Sequence, residues 1–413
     1  MSRLTFKKLK LNDFRNYDSA ELILDGRSVV LTGANGAGKT NILEAISMLS
    51  PGRGLRGARL DEMTRRGRAP DGAPDGADDA GQRHWAVSSV LERGSEELHP
   101  DELRLGTGLD PDSPVTKRIV RIDGQPASGP GALAEFFSVV WLTPALDRLF
   151  AEGASQRRRF LDRLVLGVDP GHSGVASGFD KAMRERQRLL DDAAKGGAVR
   201  GARLDEVWLS ALEGQMAEAG IALVAARLQF TERLEASIAE SPASAFPKAG
   251  LRLAGALEDV LRGGKSALEA EDWYTGELKR RRPEDAAAGR ALLGPGRSDL
   301  EVTFCGARGP GGGGQGDRAA KECSTGEQKA LLVGIVLANA RLKRSLAGGA
   351  PPILLLDEIA AHLDEPRREA LFDELHDLGA QAFMTGTDAV LFKGFGTRAQ
   401  YLEVANGSVT SGA

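Results

Sequence analysis

The chain has 413 residues, 41% hydrophobic and 27% charged, a balance close to that of soluble globular domains and too apolar for wholesale disorder; its length predicts two to three domains, or one large domain with an insertion. Lys and Arg number 54 against 58 Asp and Glu, a formal charge of -4, so a nucleic-acid partner has to be met by a local basic face rather than by bulk charge. Cys305 and Cys323 lack CxxC spacing, which argues against a zinc site and a disulfide-stapled secreted fold; neither the start MSRLTFKKLKLNDFRNY nor any later segment offers an apolar run of signal-peptide or membrane-span length, so the expectation is a soluble cytoplasmic protein without a membrane partner.

Along the chain, Leu9, Leu11 and Glu21 to Leu24 have β character, and Ser28 to Thr32 (SVVLT) is a strand that runs directly into the glycine loop GANGAGKT. A helix follows, because Ile42, Ala45, Ile46 and Leu49 recur at i, i+3, i+4 and i+7. Gly67 to Gln82 (GRAPDGAPDGADDAGQ) and Gly306 to Gly316 (GARGPGGGGQG) read as exposed, flexible insertions. From about Ser155 to Arg282 helical spacing dominates, first in Leu204, Val207, Trp208, Ala211 and Leu212, then in Leu223, Phe230, Leu234 and Ile238. Nearer the C-terminus Leu331, Ile335, Ala338 and Leu342 line one helix, Ile353 to Leu356 is a buried-strand run, Leu371, Leu375 and Leu378 line another helix, and Ala382 to Thr385 is a further strand. The whole predicts an α/β unit interrupted by an α-helical lobe, with parts at 1–150, 151–290 and 291–413.

The segment Gly33, Ala34, Asn35, Gly36, Ala37, Gly38, Lys39, Thr40 matches G-x-x-x-x-G-K-[ST] between a strand and a helix, the context this phosphate-binding loop requires. Its glycines let backbone N–H groups turn inward, Lys39 places a cation on β/γ oxygens, Thr40 offers a hydroxyl to Mg²⁺, and the helix N-terminus favours anions. ILLLDE, Ile353 to Glu358, is an apolar strand ending in two carboxylates at its C-terminal edge, where α/β sheets bind ligands. Asp357 is suited to hold Mg²⁺ through a water and Glu358 to act as general base on an attacking water. STGEQK, Ser324 to Lys329, opens a helix and has the Ser-x-x-Glu spacing of a capping box.

The order P-loop, STGEQK, LLLDE and AHLD (Ala361 to Asp364) resembles the head of the ATP-binding-cassette (ABC) superfamily. The stretch between Thr40 and Ser324 is far longer than in a transporter cassette, and too short, with no CxxC, for the long arms of SMC-type or zinc-hook ATPases. LNDFRNY (Leu11 to Tyr17), GANGAGKTNILEAI (Gly33 to Ile46), SQRRRFLDRL (Ser155 to Leu164) and GPGRSDL (Gly294 to Leu300) are similar to the RecF family of bacterial recombination mediators. The resemblance implies an ABC-type P-loop ATPase head split by the helical lobe, binding ATP and Mg²⁺. It further implies that Ser324, Thr325, Gly326 and Glu327 act in trans across an ATP-dependent homodimer, that Asp364 crosses that interface, and that a weak, DNA-stimulated ATPase serves as a switch. The partners implied are double-stranded and gapped DNA, RecR with RecO, and indirectly RecA. The other reading is a cassette ATPase that scaffolds a protein complex without DNA.

Three segments depart from the family pattern. Gly296 and Ser298 stand where GPHRDDL has His and Asp, Thr387 stands at the switch-histidine position, and Pro144-Ala145 replaces a Pro-Glu pair, which leaves the Q-loop ligand unassigned. No base-reading motif is present, so DNA contact is expected through phosphates. The candidates are Lys7, Lys8 and Lys10; Arg53, Arg56 and Arg59; Arg157, Arg158 and Arg159; and Lys279 to Arg282. Arg56 and Arg59 follow the P-loop helix closely enough to report bound DNA to the nucleotide site. A run of three arginines on a helix, such as Arg157 to Arg159, also has to turn at least one side chain toward protein.

Overall fold

A computed structural model describes residues 3–65, 84–94, 101–113, 115–136, 138–196, 206–242, 244–306, 316–346 and 350–412. Gly67 to Gln82, Leu204 and positions 307–315 of the second glycine-rich segment lie outside the described residues. The chain forms two compact units: one from Met1–Asp147, Pro242–Phe246 and Leu332–Ala413, the other from Arg148–Ser241 and Pro247–Leu331.

The first unit opens with strands β1 (Arg3–Phe14) and β2 (Tyr17–Ile23), paired antiparallel from Phe14↔Tyr17 to Lys8↔Ile23. On β1, Leu9 and Leu11 are buried while Lys10 is exposed, the alternation of a strand with one wet face. Strand β3 (Ser28–Thr32) leads through the glycine loop to helix α1 (Lys39–Ser47). Ile42, Ala45 and Ile46 are buried as their spacing predicts, and Leu49 is buried just past the helix end. Strands β4 (Ala86–Gly94), β5 (Asp101–Leu109), β6 (Arg118–Ile122) and β7 (Gln125–Pro126) complete an antiparallel sheet in the order β2-β1-β4-β5-β6-β7, and β8 (Val139–Leu142) joins a second sheet. Arg118, buried on β6, donates to the carbonyls of Met48, Ser50 and Gly52, which follow α1. Burial lowers its pKa to about 10.

The second unit contains α2 (Ala154–Leu166), α3 (His172–Gly196), α4 (Glu206–Glu240), strand β9 (Lys248–Ala254), α5 (Ala256–Arg262), α6 (Ala267–Arg280), α7 (Arg282–Ala288), β10 (Asp299–Cys305) and β11 (Arg318–Ala319). Helix α8 (Thr325–Ser345) begins in this unit and ends in the first. Two expectations are corrected here. The stretch 155–282 is not wholly helical, because KAGLRLA at 248–254 alternates with period two, Ala249, Leu251 and Leu253 inward, and pairs with β10. At the start of α4, Val207 and Trp208 are 83% and 48% exposed, whereas Leu209, Leu212, Met216 and Ala217 are buried. The apolar stripe there is too broad for periodicity to choose its inner edge, and tertiary partners choose it. Glu213 on that inner face receives Arg186 and Arg282, while Gly220 lets Tyr274 and Phe179 approach so closely that a Cβ would lie 2.9 Å from the Tyr274 ring.

The chain then returns to the first unit with β12 (Ile353–Leu356), α9 (Glu365–Asp377), β13 (Ala382–Gly386), β14 (Ala399–Ala405) and β15 (Ser408–Ser411). Their sheet runs β15-β14-β3-β13-β12-β8 and is parallel except for β15. The runs ILLL and AFMTG are buried throughout, as expected of parallel strands covered on both faces. Buried Gln381, just before β13, accepts from the Phe6 N–H at 2.6 Å and donates to the Arg27 carbonyl at 3.0 Å, which ties the two sheets together. The C-terminal ends of β3, β12 and β13 therefore share one edge, where ligands of such sheets bind.

Candidate functional site

Gly33 to Gly38 connect β3 to α1 at that edge. Gly33 has φ +146, and a Cβ there would lie 2.2 Å from the Val404 carbonyl oxygen of β14. Gly38 has φ +115 and sits under Asn16 and Tyr17, with a Cβ meeting Asn16 Nδ2 at 2.5 Å. Only glycine satisfies both the backbone angle and the space. The turn between β1 and β2 braces the loop, since Asn16 Nδ2 donates to the Ala37 carbonyl at 3.0 Å and Tyr17 Oη to that of Gly38 at 3.1 Å. Both residues belong to LNDFRNY, but that stretch by itself gives neither a role at the glycine loop.

Lys39 donates from Nζ to the carbonyls of Gly33 at 2.6 Å and Ala34 at 2.9 Å. Burial lowers its pKa, partly opposed by the Glu358 and Asp357 carboxylates. Thr40 Oγ1 donates to Asp357 Oδ1 at 3.0 Å and Oδ2 at 3.2 Å. Mg²⁺ takes hard oxygens in small number from protein and fills its shell with phosphate and water, so an adjacent hydroxyl and carboxylate fit it. Among the described residues no group of three or more His, Cys, Asp or Glu could form an all-protein cage for a metal ion.

Glu358 follows directly, with φ 54 and ψ 19, a left-handed conformation that costs a residue bearing a Cβ. Its N–H donates to Thr385 Oγ1 at 2.9 Å, and Thr385 Oγ1 donates in turn to Asp357 Oδ1 at 2.7 Å. Sequence reasoning counts Thr385 only as a strand residue; a hydroxyl ending an otherwise apolar strand beside the carboxylate strand is the signal that would have found it. Thr387, two residues on, is exposed past the end of β13, and Pro144 and Ala145 lie exposed in a short turn after β8.

The STGEQK segment lies in the second unit. Ser324 donates to Glu327 Oε2 from both N–H and Oγ at 2.8 Å, and Glu327 N–H returns to Ser324 Oγ at 3.4 Å. This is a formed capping box at the start of α8, with Arg318 pairing to Glu327 and Ser324, Thr325 and Gly326 exposed. The Ser324 hydroxyl and N–H hold the Glu327 carboxylate below the usual range. Asp364 caps α9, accepting from Arg367 N–H at 3.0 Å, and is itself exposed.

The basic candidates separate by what they touch. Arg56 donates to Asn41 Oδ1 and Glu44 Oε2, both at 2.7 Å; Glu44 is fully buried and also receives Arg15. Arg59 is exposed beside Asp61. Arg157 makes a bidentate pair with Asp299 at 2.7 and 2.8 Å, and Arg158 donates to the Ser298 carbonyl at 2.6 Å, whereas Arg159 is exposed. Lys7 pairs with Glu92, Lys8 and Lys10 with Glu21, Arg280 and Arg281 with Glu277, and Arg282 with Glu213; Arg53 is exposed.

The family model for the RecF/RecN/SMC N-terminal domain matches residues 5–408. The chain is 48% identical to the "DNA replication and repair protein RecF" of Rhizobium rhizogenes, over 99% of each chain. It is 48% identical to the protein of the same name from Caulobacter sp., over 100% of this chain and 99% of that one. Among solved structures, the recombination mediator protein RecF-ATPrS in the RecFOR pathway superposes with a TM-score of 0.76 at 20% identity, covering 100% of this chain and 99% of that one. An Smc head domain from Pyrococcus furiosus gives 0.52 at 17% identity, covering 99% and 96%. The fold is thus that of an ABC-type ATPase head with a helical insertion. Among the described residues no helix is long and apolar enough to cross a membrane.

Proposed function

The chain belongs to the RecF family, and on that premise we propose that it is an ATP-dependent DNA-binding protein of replication and recombinational repair. Gly33 to Thr40 cradle the phosphates of ATP, with Lys39 turning from its carbonyl partners to the β/γ oxygens. Thr40 and Asp357 hold Mg²⁺, which when bound offsets charge on those oxygens. Glu358 is the general base that accepts a proton from the attacking water. The observation that carries this reading is the contact of Thr40 Oγ1 with Asp357 at 3.0 Å, which joins the P-loop to the carboxylate strand.

Ser324 to Glu327 complete the site of a partner copy in trans, with the Ser324 hydroxyl and the N–H groups at the start of α8 as donors to the γ-phosphate. Asp364, exposed at the start of α9, crosses the same interface. Because ATP then binds where two copies meet, its binding favours the dimer by linkage. The dimer clamps duplex or gapped DNA, hydrolysis resets it, and with RecR and RecO it assists RecA loading. Arg53, Arg59 and Arg159 supply phosphate contacts, being exposed, while Arg157 and Arg158 act through the fold.

Duplex binding titrated with salt, with and without ATP, tests this reading. Binding that needs ATP and weakens steeply with salt supports it. No duplex binding with or without ATP would leave a cassette ATPase without a DNA function, and binding indifferent to ATP would remove the ATP-dependent reading.

A further inference from the structure

Strand β12 ends at Leu356, in register with Met384 of β13. The next N–H, of Asp357, still finds a strand partner, the Leu142 carbonyl of β8, at 2.8 Å. The N–H after it, of Glu358, has none, because the backbone there turns left-handed and leaves the sheet. Thr385 supplies the missing acceptor. Its hydroxyl takes that N–H at 2.9 Å and gives its own proton to Asp357 Oδ1 at 2.7 Å. The residue is fully buried and β-branched, so its rotamer is fixed and water does not compete for these bonds.

We propose that Thr385 is a positioning residue for ATP hydrolysis: one buried hydroxyl sets the direction of the Asp357 carboxylate and holds the strained backbone of Glu358. This rests on the nucleotide-site reading above. Asp357 Oδ1 is shared by two hydroxyls, those of Thr40 and Thr385. When Thr40 turns to a metal ion, the Thr385 bond still keeps Asp357 in place. The same hydroxyl fixes where the Glu358 side chain starts, and a general base has to lie within hydrogen-bond reach of its water. Thr385 touches no reacting atom, so its loss should affect the chemical step far more than nucleotide binding.

The test compares Thr385→Val, which keeps the volume and removes the hydroxyl, with Thr385→Ser, which keeps the hydroxyl, reading ATP affinity and single-turnover hydrolysis on the full chain with Mg²⁺ and duplex DNA. Val should slow hydrolysis roughly 10- to 100-fold, the effect of losing a hydrogen bond to a charged group and stranding a buried N–H, with affinity within about twofold. Ser should stay within roughly fivefold of the parent. Thr385→Ala, which perturbs packing differently, should show the same split and serves if the Val chain does not fold. Parent-like hydrolysis in Val or Ala, an equal loss in Ser, or affinity falling in step with rate would overturn the proposal. Glu358→Gln, measured alongside, separates the two readings. An active parent, an inactive Glu358→Gln and an unaffected Thr385→Val would remove the role of Thr385 alone; a parent without hydrolysis, or an active Glu358→Gln, would remove the nucleotide-site reading and this proposal with it.

Discussion

Thr40 and Asp357 meet at 3.0 Å across a separation of 317 positions in the chain. The contact exists because β3 and β12 flank β13 in one parallel sheet, so the P-loop and the carboxylate pair emerge side by side from the same edge. A metal ion that needs only two protein oxygens and the phosphates of its nucleotide requires no more than this. Asp357→Asn keeps the shape and removes the charge; it should lower Mg²⁺-dependent ATP affinity roughly 10- to 100-fold while leaving Mg²⁺-free binding nearly unchanged. Titration of a fluorescent ATP analogue with Mg²⁺ and with chelator reads the difference, and an equal loss in both would mean that Asp357 acts on the fold.

Lys39 gives a pH dependence with a definite sign. Burial depresses its pKa from the ordinary 10.5, so in the folded protein the ammonium loses its proton at a lower pH than in the unfolded chain. The burial penalty on folding is in force at neutral pH and fades as pH rises from the folded pKa toward 10.5. ATP affinity runs the other way, because the phosphates need the cation. It should be flat near neutrality and fall as pH rises, beginning before pH 10.5 is reached, and Lys39→Met should lack that limb. Parallel curves for the two proteins would contradict the assignment.

Gly33→Ala asks for a positive φ and a Cβ 2.2 Å from the Val404 carbonyl. The backbone of β14 or the P-loop has to shift, so nucleotide binding should be lost, with a stability cost on the order of 1–3 kcal/mol. Urea unfolding and nucleotide titration on the same sample check both parts. Parent-like affinity would mean that the loop does not need this geometry.

Within the second unit, buried Arg186 donates to Glu213 at 3.1 Å, Asp285 at 2.7 Å and the Leu278 carbonyl at 2.6 Å, linking α3, α4, α6 and α7. Removing one member leaves a buried charge without its partner, so Arg186→Met should cost about 3–5 kcal/mol in denaturant unfolding. A cost below about 1 kcal/mol would show that the helices hold without the network.

The three arginines after Ser155 should divide. Arg157→Ala breaks the bidentate pair with Asp299 and should destabilise the protein by roughly 1.5–3 kcal/mol. Arg159→Ala, at an exposed position, should leave the unfolding midpoint unchanged and reduce the salt slope of DNA binding by about 1. Equal effects on the two observables would undo this division.

Much of this was legible in the chain. The P-loop, the ILLL strand and the presence of α1 and α9 follow from motif spacing and periodicity, which local chemistry decides, although Leu49 and Leu378, which share that periodicity, fall just past the two helix ends. What was not legible depends on long-range partners. Val207 and Trp208 share the helical period of Leu209 and Leu212, yet only packing against α3 and α6 determines which of them turns inward. Strand β9 shows in KAGLRLA as period-two alternation, but helical spacing on both sides of it masks so short a signal. Thr385 carries no motif, and Asn16, though within LNDFRNY, shows no role there, since each acts by touching a segment distant in sequence. Of Arg157 to Arg159 the sequence required at least one side chain turned toward protein, and Asp299 and Ser298 determine that it is two.

The central claim is that ATP joins two copies of this chain. Light scattering of the purified protein alone, with ADP and with ATP, each with and without duplex DNA, measures it most directly. The account predicts a monomer that doubles in mass only with ATP, and loss of that shift in Ser324→Arg, whose side chain would obstruct the donor groups at the start of α8. A protein that binds ATP yet stays monomeric with and without DNA would contradict it.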